Sequence, residues 1–174
     1  MIHEGGIRSE LHKAIWKSKA TPKSKLFLWL ASLHRIWTSD RRVRFGLQLT
    51  QDACPLCQQE LETAEHLLVQ CSFSREVWFR CDQRLGVNFT MPDADSKIKD
   101  WWMAERRRFT KQDRRWFDGL VCMVGYAIWK NRNAWIFGNS RNQHSALNLS
   151  NLIVDDCNLL RVALGVGVIG AARE

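Results

Sequence analysis

Three cysteines and one histidine within eighteen residues restrict what this chain can fold into. Cys54, Cys57, His66 and Cys71 are spaced as C-x2-C-x8-H-x4-C. Three thiolates and one imidazole at such compact spacing are the ligands of a closed, tetrahedral Zn²⁺ site. Four protein ligands leave no coordination position open for a reactive water, so the predicted role of the zinc is structural. The rest of the chain is therefore expected to pack around a metal-linked loop.

Other features of the chain indicate its compartment. The first six residues, Met-Ile-His-Glu-Gly-Gly, contain no apolar core of a secretory signal, and no segment has the roughly 20 apolar residues of a membrane helix. We therefore expect an intracellular protein, in the nucleus or the cytoplasm, that contacts no membrane and keeps its thiols reduced. Cys81, Cys122 and Cys157 lie on apolar helical stretches and are predicted to be buried thiols.

The charge is distributed unevenly along the chain. The net charge of +8 divides into +7 over residues 1–50, −4 over residues 51–100 and +5 over residues 101–174. If the protein binds a polyanion such as RNA or DNA, the basic flanks should contact it, because the centre is acidic. A basic helix face is also compatible with simple solvation. The candidate nucleic-acid-binding residues are Lys23, Lys25, Arg41, Arg42, Arg44, Arg106, Arg107 and Arg108.

Apolar spacing and capping residues predict a mainly α fold, with several packed helices and a small CCHC zinc knuckle between them. Thr21-Pro22 predicts the start of a buried helix whose apolar positions continue to Trp37, and Thr38 begins a short basic helix that Gly46 ends. The apolar residues of the first of these helices that recur at helical spacing are Leu26, Trp29, Leu30, Leu33, Ile36 and Trp37.

The second half of the knuckle and the rest of the chain are also predicted to be helical. Thr63 should cap a helix carrying His66, and this helix must end or bend near Cys71 because five residues turn an ideal helix by about 140°. Further helices are predicted over residues 74–85, 110–137 and from residue 145. Their predicted inward residues include Val77, Trp78, Cys81, Leu85, Phe117, Leu120, Val121, Val124, Ile128, Trp135, Leu149, Leu152, Ile153, Leu160 and Leu164.

Asp155-Asp156 is a possible catalytic motif, because paired carboxylates hold two metal ions in polymerase active sites. Here the pair follows Ile153-Val154 inside a helical pattern and lacks the aromatic residue and the flanking strands of that motif. A solvated helix face is therefore the favoured interpretation. We predict that the chain is not an enzyme.

The order of these motifs resembles the zinc-binding domain that follows the reverse transcriptase in plant LINE-type (non-LTR) retrotransposon polyproteins. A weaker likeness continues through Ile128-Trp129-Lys130-Asn131-Arg132-Asn133 and Ile136-Phe137. The stronger resemblance covers about residues 14–80. Its motifs are Ile15-Trp16-Lys17, Pro22-Lys23, Phe27-Leu28-Trp29, Thr38-Ser39-Asp40-Arg41, Cys54-Pro55-Leu56-Cys57, Glu62-Thr63-Ala64-Glu65-His66-Leu67 and Cys71 through Trp78.

The resemblance implies a domain division and a function. It implies a zinc-binding domain over residues 1–86, an acidic loop and basic linker over residues 87–109, and a helical segment over residues 110–174. The implied function is a non-catalytic zinc module that assists RNA or DNA binding, with other parts of a retrotransposon polyprotein as further partners. The alternative is a protein-interaction scaffold from a domesticated or fragmentary element, with no nucleic-acid role.

Overall fold

The structure, a computed structural model, describes residues 9–164 and is built from helices. Within that range no β-strand forms, and Ala53 and Leu61 make only an isolated bridge. The mainly α prediction is confirmed. The helices are α1 (Glu10–Lys17), α2 (Pro22–Ser32), α3 (Ser39–Arg44), a π-helical turn (His66–Gln70), α4 (Ser72–Leu85), α5 (Ile98–Arg106), α6 (Lys111–Ile136), a 3₁₀ turn (Ser140–Asn142) and α7 (Ala146–Ala163).

Capping residues begin three of these helices where the sequence predicts. The hydroxyls of Thr21, Thr110 and Ser145 each accept a hydrogen bond of 3.2–3.3 Å from the backbone N–H three residues later. Each hydroxyl satisfies one N–H that the first helical turn leaves unpaired. Gly138 follows α6 at a φ of 66°, a conformation that glycine adopts without steric cost. The starts of α2, α6 and α7 and the end of α6 therefore follow from local chemistry.

The predicted length of α2 is wrong, and the apolar residues that recur at helical spacing do not mark its buried face. The helix ends at Ser32, and Phe27, Leu28 and Ala31 are its buried apolar residues. Leu26 is 48% exposed and Trp37, beyond the helix, is 46% exposed. Apolar residues cover nearly the whole circumference of α2, so their spacing does not indicate which side packs inward.

The N-terminal helix α1 is not among the helices predicted from the sequence. Ser9 caps it by accepting a hydrogen bond of 3.3 Å from the His12 N–H. Leu11 and Ile15 are buried, whereas Trp16 is 49% exposed. The helix packs against α2 and α6, and is thus part of the core.

The long helix α6 is the centre of the molecule, because α1, α2, α5 and α7 all contact it. One buried cluster extends from Leu11 to Cys157 and includes no residue of the segment 37–53, which holds α3. The thiols of Cys81, Cys122 and Cys157 are buried as predicted. The division into segments at residues 86 and 109 stays a prediction.

Three residues predicted to face inward from α6 and α7 are partly exposed instead. Trp135 is 44% exposed, Leu152 47% and Leu164 45%. Trp135 shares a helix face with Ile128, which is fully buried. Helical periodicity gives the direction of a side chain but not the point at which the covering elements stop. None of the described helices combines the length and apolar character that a bilayer crossing requires.

Candidate metal centre

The structure brings the four predicted ligands together. The ligand atoms of Cys54, Cys57, His66 and Cys71 all lie within 4.8 Å of one another. Cys54 Sγ is 3.9 Å from Cys71 Sγ, and Cys57 Sγ is 3.3 Å from His66 Nε2. A tetrahedral zinc with Zn–S bonds of about 2.3 Å requires sulfur–sulfur separations of about 3.8 Å. The spacing and the soft donor set fit zinc.

A tight turn directs the first two thiols to one point. The Gln58 N–H donates to the Cys54 carbonyl at 2.8 Å, and the Cys54 N–H donates to the Glu60 carbonyl at 2.7 Å. Gln58 has a φ of 56°, so the chain reverses through a left-handed residue directly after Cys57. Backbone hydrogen bonds therefore close the loop on both sides of Cys54.

A π-helical turn places the other two ligands. The Thr63 hydroxyl accepts from the His66 N–H at 3.0 Å, which confirms the predicted cap. The Cys71 N–H then donates to the His66 carbonyl at 2.7 Å, five residues back. This wider turn replaces the α-helical one that would carry Cys71 about 140° away from His66. At Cys71 the backbone leaves the helix with a ψ of 133°, and α4 begins.

Side chains of α4 complete the hydrogen bonds of this turn. The Ser74 hydroxyl donates to the Leu67 carbonyl at 2.6 Å, and the Trp78 indole N–H donates to the Leu68 carbonyl at 2.9 Å. Both carbonyls are buried at the end of a helical segment, where an unpaired group is costly. Ser74 and Trp78 thus hold the π-helical turn against α4.

The thiols hold their protons unequally. A hydrogen bond with Cys71 and then burial raise the pKa of Cys54 to about 12. The same hydrogen bond lowers the pKa of Cys71. Cys54 therefore keeps the proton that the two sulfur atoms share. Because a thiolate is the form that binds metal, zinc must displace that proton.

A buried ion pair anchors the zinc loop to the C-terminal half of the chain. Glu62 lies between Cys57 and His66, and Arg132 on α6 donates to both of its oxygens, at 2.6 Å and 2.5 Å. The side chains are only 2% and 4% exposed. The Ser39 N–H at the start of α3 also donates to Glu62, at 2.7 Å. Sequence patterns do not reveal this pair, because its two members lie 70 residues apart.

Residues 1–78 match the model of the family described as "zinc-binding in reverse transcriptase". This match supports a reverse-transcriptase zinc-binding domain in that part of the chain, and the cofactor of the domain is zinc. The family is a zinc-binding one and not a catalytic one, which is compatible with a chain that is not an enzyme. No curated protein and no solved structure matches the chain.

The zinc-binding domain carries part of the predicted basic surface. Lys23 and Arg44 are exposed and Arg42 is partly exposed. Lys25 donates to the Trp16 carbonyl at 3.3 Å. Arg41 lies between two aromatic rings and donates to the His34 carbonyl. These residues follow the N-terminal caps of α2 and α3, and whether they bind nucleic acid stays a prediction.

The other predicted basic residues lie beyond the zinc-binding domain and differ in environment. Arg106 donates to both oxygens of the buried Asp118 at 2.9 Å. Arg108 pairs with Glu105 at 2.5 Å and keeps half of its side chain exposed. Arg107 is exposed and makes no ion pair within residues 9–164. Arg107 is therefore the most accessible charge of the three.

Asp155 and Asp156 lie on the exposed face of α7, away from the buried Ile153 and Cys157. A solvated helix face, the favoured interpretation of the motif, agrees with this exposure. Asp118, in contrast, is buried. Its burial raises its pKa to about 6, although the neighbouring Arg106 acts to lower it. Among the described residues, the four zinc ligands form the cluster that can hold a metal ion.

Proposed function

We propose that this chain is a non-catalytic zinc module that assists RNA or DNA binding through its basic flanks, and that it derives from a plant LINE-type reverse transcriptase polyprotein. Other parts of that polyprotein are the further partners we propose. The motif order described above supports the origin. The charge distribution supports the binding role, since the two flanks carry net charges of +7 and +5, whereas residues 51–100, which hold the zinc ligands, carry −4.

The observation that carries this proposal is the link between the zinc loop and α3. Glu62 accepts the Ser39 N–H at 2.7 Å, and the Ser39 hydroxyl accepts the Asp52 N–H at 2.5 Å. The zinc loop therefore fixes the start of the helix that carries Arg42 and Arg44. Zinc contributes to binding in this proposal by holding basic side chains in place, without contacting the nucleic acid.

A salt titration of binding tests the proposal. The full chain is titrated with fluorescently labelled single-stranded RNA, single-stranded DNA and duplex at several salt concentrations, with zinc and after chelation. Changing both Arg42 and Arg44 to Gln should weaken binding and reduce the slope of log affinity against log salt by about 1 for each lost phosphate contact. Chelation should weaken binding as well, because α3 loses its anchor.

Arg80→Gln is the matched control for that experiment. Arg80 is a partly exposed arginine on α4 that pairs with Glu76 at 2.7 Å within the acidic segment. Removing its charge changes the net charge without touching the basic flanks. Equal weakening by Arg80→Gln and by the α3 changes would reject the proposed binding surface. Affinity that is the same at every salt concentration would reject a phosphate contact altogether.

A groove between α6 and α7 supports a second candidate, a protein-interaction scaffold. The groove has a volume of about 890 Å³, and its lining includes Phe137, Leu152 and Leu159. Phe137 is 78% exposed and Leu159 68%. Exposed apolar side chains that gather along one groove are typical of an interaction surface. Replacing Phe137 and Leu159 with Ser should leave nucleic-acid binding unchanged and remove any self-association seen by analytical ultracentrifugation.

A further inference from the structure

Two exposed aromatic rings lie beside the guanidinium group of Arg41 on α3. Trp37 precedes this helix and Phe45 follows it. Trp37 is 46% exposed and Phe45 54% exposed, and their ring centroids lie 5.7 Å apart at 79°. The Arg41 guanidinium carbon is 5.0 Å from the Trp37 ring centre and 4.6 Å from the Phe45 ring centre. We call Trp37, Arg41 and Phe45 the α3 platform.

The rest of the structure holds the platform in place. Arg132 on α6 donates to the Trp37 carbonyl at 3.3 Å, and Arg41 donates to the His34 carbonyl. Phe45 is the first residue after α3, and its N–H donates to the Arg41 carbonyl at 3.1 Å. These hydrogen bonds fix the backbone of the platform and the Arg41 side chain, so little of that freedom is lost when a ligand binds.

The charge around the platform complements a polyanion. Residues 34–49 contain four arginines and one carboxylate, Asp40. Arg35 and Arg44 are exposed, and Arg42 is partly exposed. Aromatic faces beside cations suit a base that is free of its partner strand, with the phosphates on either side contacting arginine. A duplex does not present its base faces, so the platform favours a single strand.

We propose that the α3 platform binds single-stranded nucleic acid by stacking bases on Trp37 and Phe45, with Arg35, Arg42 and Arg44 contacting the phosphates. This inference rests on the proposed function, and it adds the strandedness of the ligand and the residues that stack. An apolar peptide segment is the competing occupant, because Leu47 and Leu49 nearby are 59% and 99% exposed. The arginines favour the nucleic acid, since an apolar peptide offers them no partner.

The test compares aromatic variants of the full, zinc-loaded chain by fluorescence anisotropy. The probes are a labelled 12-nucleotide uridine oligomer, an abasic strand of equal length and a duplex. Trp37→Ala and Phe45→Ala should each weaken binding of the uridine oligomer by about 5- to 150-fold, the effect of losing one stacked base. The salt dependence of binding should stay unchanged because the phosphate contacts remain. Wild-type protein should bind the abasic strand more weakly than either variant binds the uridine oligomer, because an abasic strand stacks on neither ring.

Matched variants separate stacking from a general loss of structure. Phe79 on α4 is 52% exposed, close to the value for Phe45, so Phe79→Ala should leave affinity unchanged. Trp37→Phe keeps an aromatic face and should keep most of the affinity. Far-ultraviolet circular dichroism and zinc content check the fold of each variant. If an Ala variant does not fold, the affinities of wild-type protein for the uridine and abasic strands decide whether bases stack on the platform.

Different results would overturn different parts of the argument. Wild-type protein that binds none of the probes would refute both the proposed function and the platform. A different result is that wild-type protein binds the uridine oligomer and that Trp37→Ala and Phe45→Ala bind it equally tightly. That result would refute the platform alone and assign these rings to a protein contact. Duplex binding as tight as single-strand binding, or abasic binding as tight as uridine binding, would also refute stacking.

Discussion

Removing the Arg132 side chain should destabilise the zinc loop although it lies 70 residues from Glu62 in the sequence. In Arg132→Ala, Glu62 stays buried but loses both donors from the guanidinium group. The Ser39 N–H, at 2.7 Å, is then its remaining hydrogen-bond donor among the described residues. A buried carboxylate with one donor and no counter-charge is poorly compensated, so the folded state loses free energy.

The expected size of this effect follows from the burial of the pair. Breaking a buried ion pair by removing one partner costs about 3–5 kcal/mol, because the remaining charge is left without compensation. In a protein of this size, a loss of 1 kcal/mol lowers the melting temperature by roughly 2–4 °C. Arg132→Ala should therefore lower the melting temperature of the zinc-loaded protein by about 6–20 °C. Urea denaturation should give a matching loss in the free energy of unfolding.

Two further variants make the prediction specific. Lys130→Ala removes an exposed positive charge two residues earlier on α6, and should change stability by no more than about 0.5 kcal/mol. Changing both Glu62 and Arg132 to Met removes the two buried charges together and should recover most of the loss. If Arg132→Ala cost no more than Lys130→Ala, the pair would not anchor the loop. If the double variant lost the sum of the losses in Glu62→Met and Arg132→Met, the two side chains would not be coupled.

Three other effects can be measured on the same protein. Zinc binding at neutral pH should release at least one proton, since the pKa of Cys54 is raised to about 12 without metal. Titration calorimetry in buffers of different ionisation enthalpy measures the number of protons released. A binding enthalpy that is independent of the buffer would contradict this prediction. The folded-state pKa of Asp118 is about 6, above its unfolded value of about 3.9, so its contribution to stability should fall as pH rises from 4 to 6. Denaturation curves of Asp118→Asn should lack this pH dependence. Equal pH slopes in the wild-type protein and the variant would exclude a contribution from Asp118. Gly119→Ala should lower the free energy of unfolding by about 1–3 kcal/mol, because the added Cβ would lie 2.8 Å from the Lys19 backbone. Gly125→Ala should cost less, because its Cβ would meet only a movable leucine side chain. Thermal denaturation measures both losses, and the reverse order would be inconsistent with this packing.

Features that depend on neighbouring residues could be predicted from the sequence. The caps at Thr21, Thr110 and Ser145 are local, because a hydroxyl bonds a backbone N–H three residues away. The compact spacing of the cysteines and the histidine likewise brings the ligands close within one segment. These signals predict helix starts and the metal centre without knowledge of the tertiary structure.

Features that depend on distant parts of the chain could not be predicted. Arg106 is part of a basic run in the sequence, yet it pairs with the buried Asp118 on another helix. Glu62 likewise looks like part of a helix start, although its partner is on α6. The exposure of Trp37 follows from the early end of α2 at Ser32. In each case the deciding contact comes from a segment that sequence periodicity does not locate.

The π-helical turn has a consequence for how gene copies of this domain can change in length. Deleting or inserting one residue between His66 and Cys71 would rotate the thiol by about 100° around the helix and separate it from the other ligands. The tip of the loop is constrained as well, because the Gln58 N–H donates to the Cys54 carbonyl and the Cys54 N–H donates to the Glu60 carbonyl. Copies that still bind zinc should therefore keep both intervals constant in length, the one from Cys54 to Glu60 and the one from His66 to Cys71.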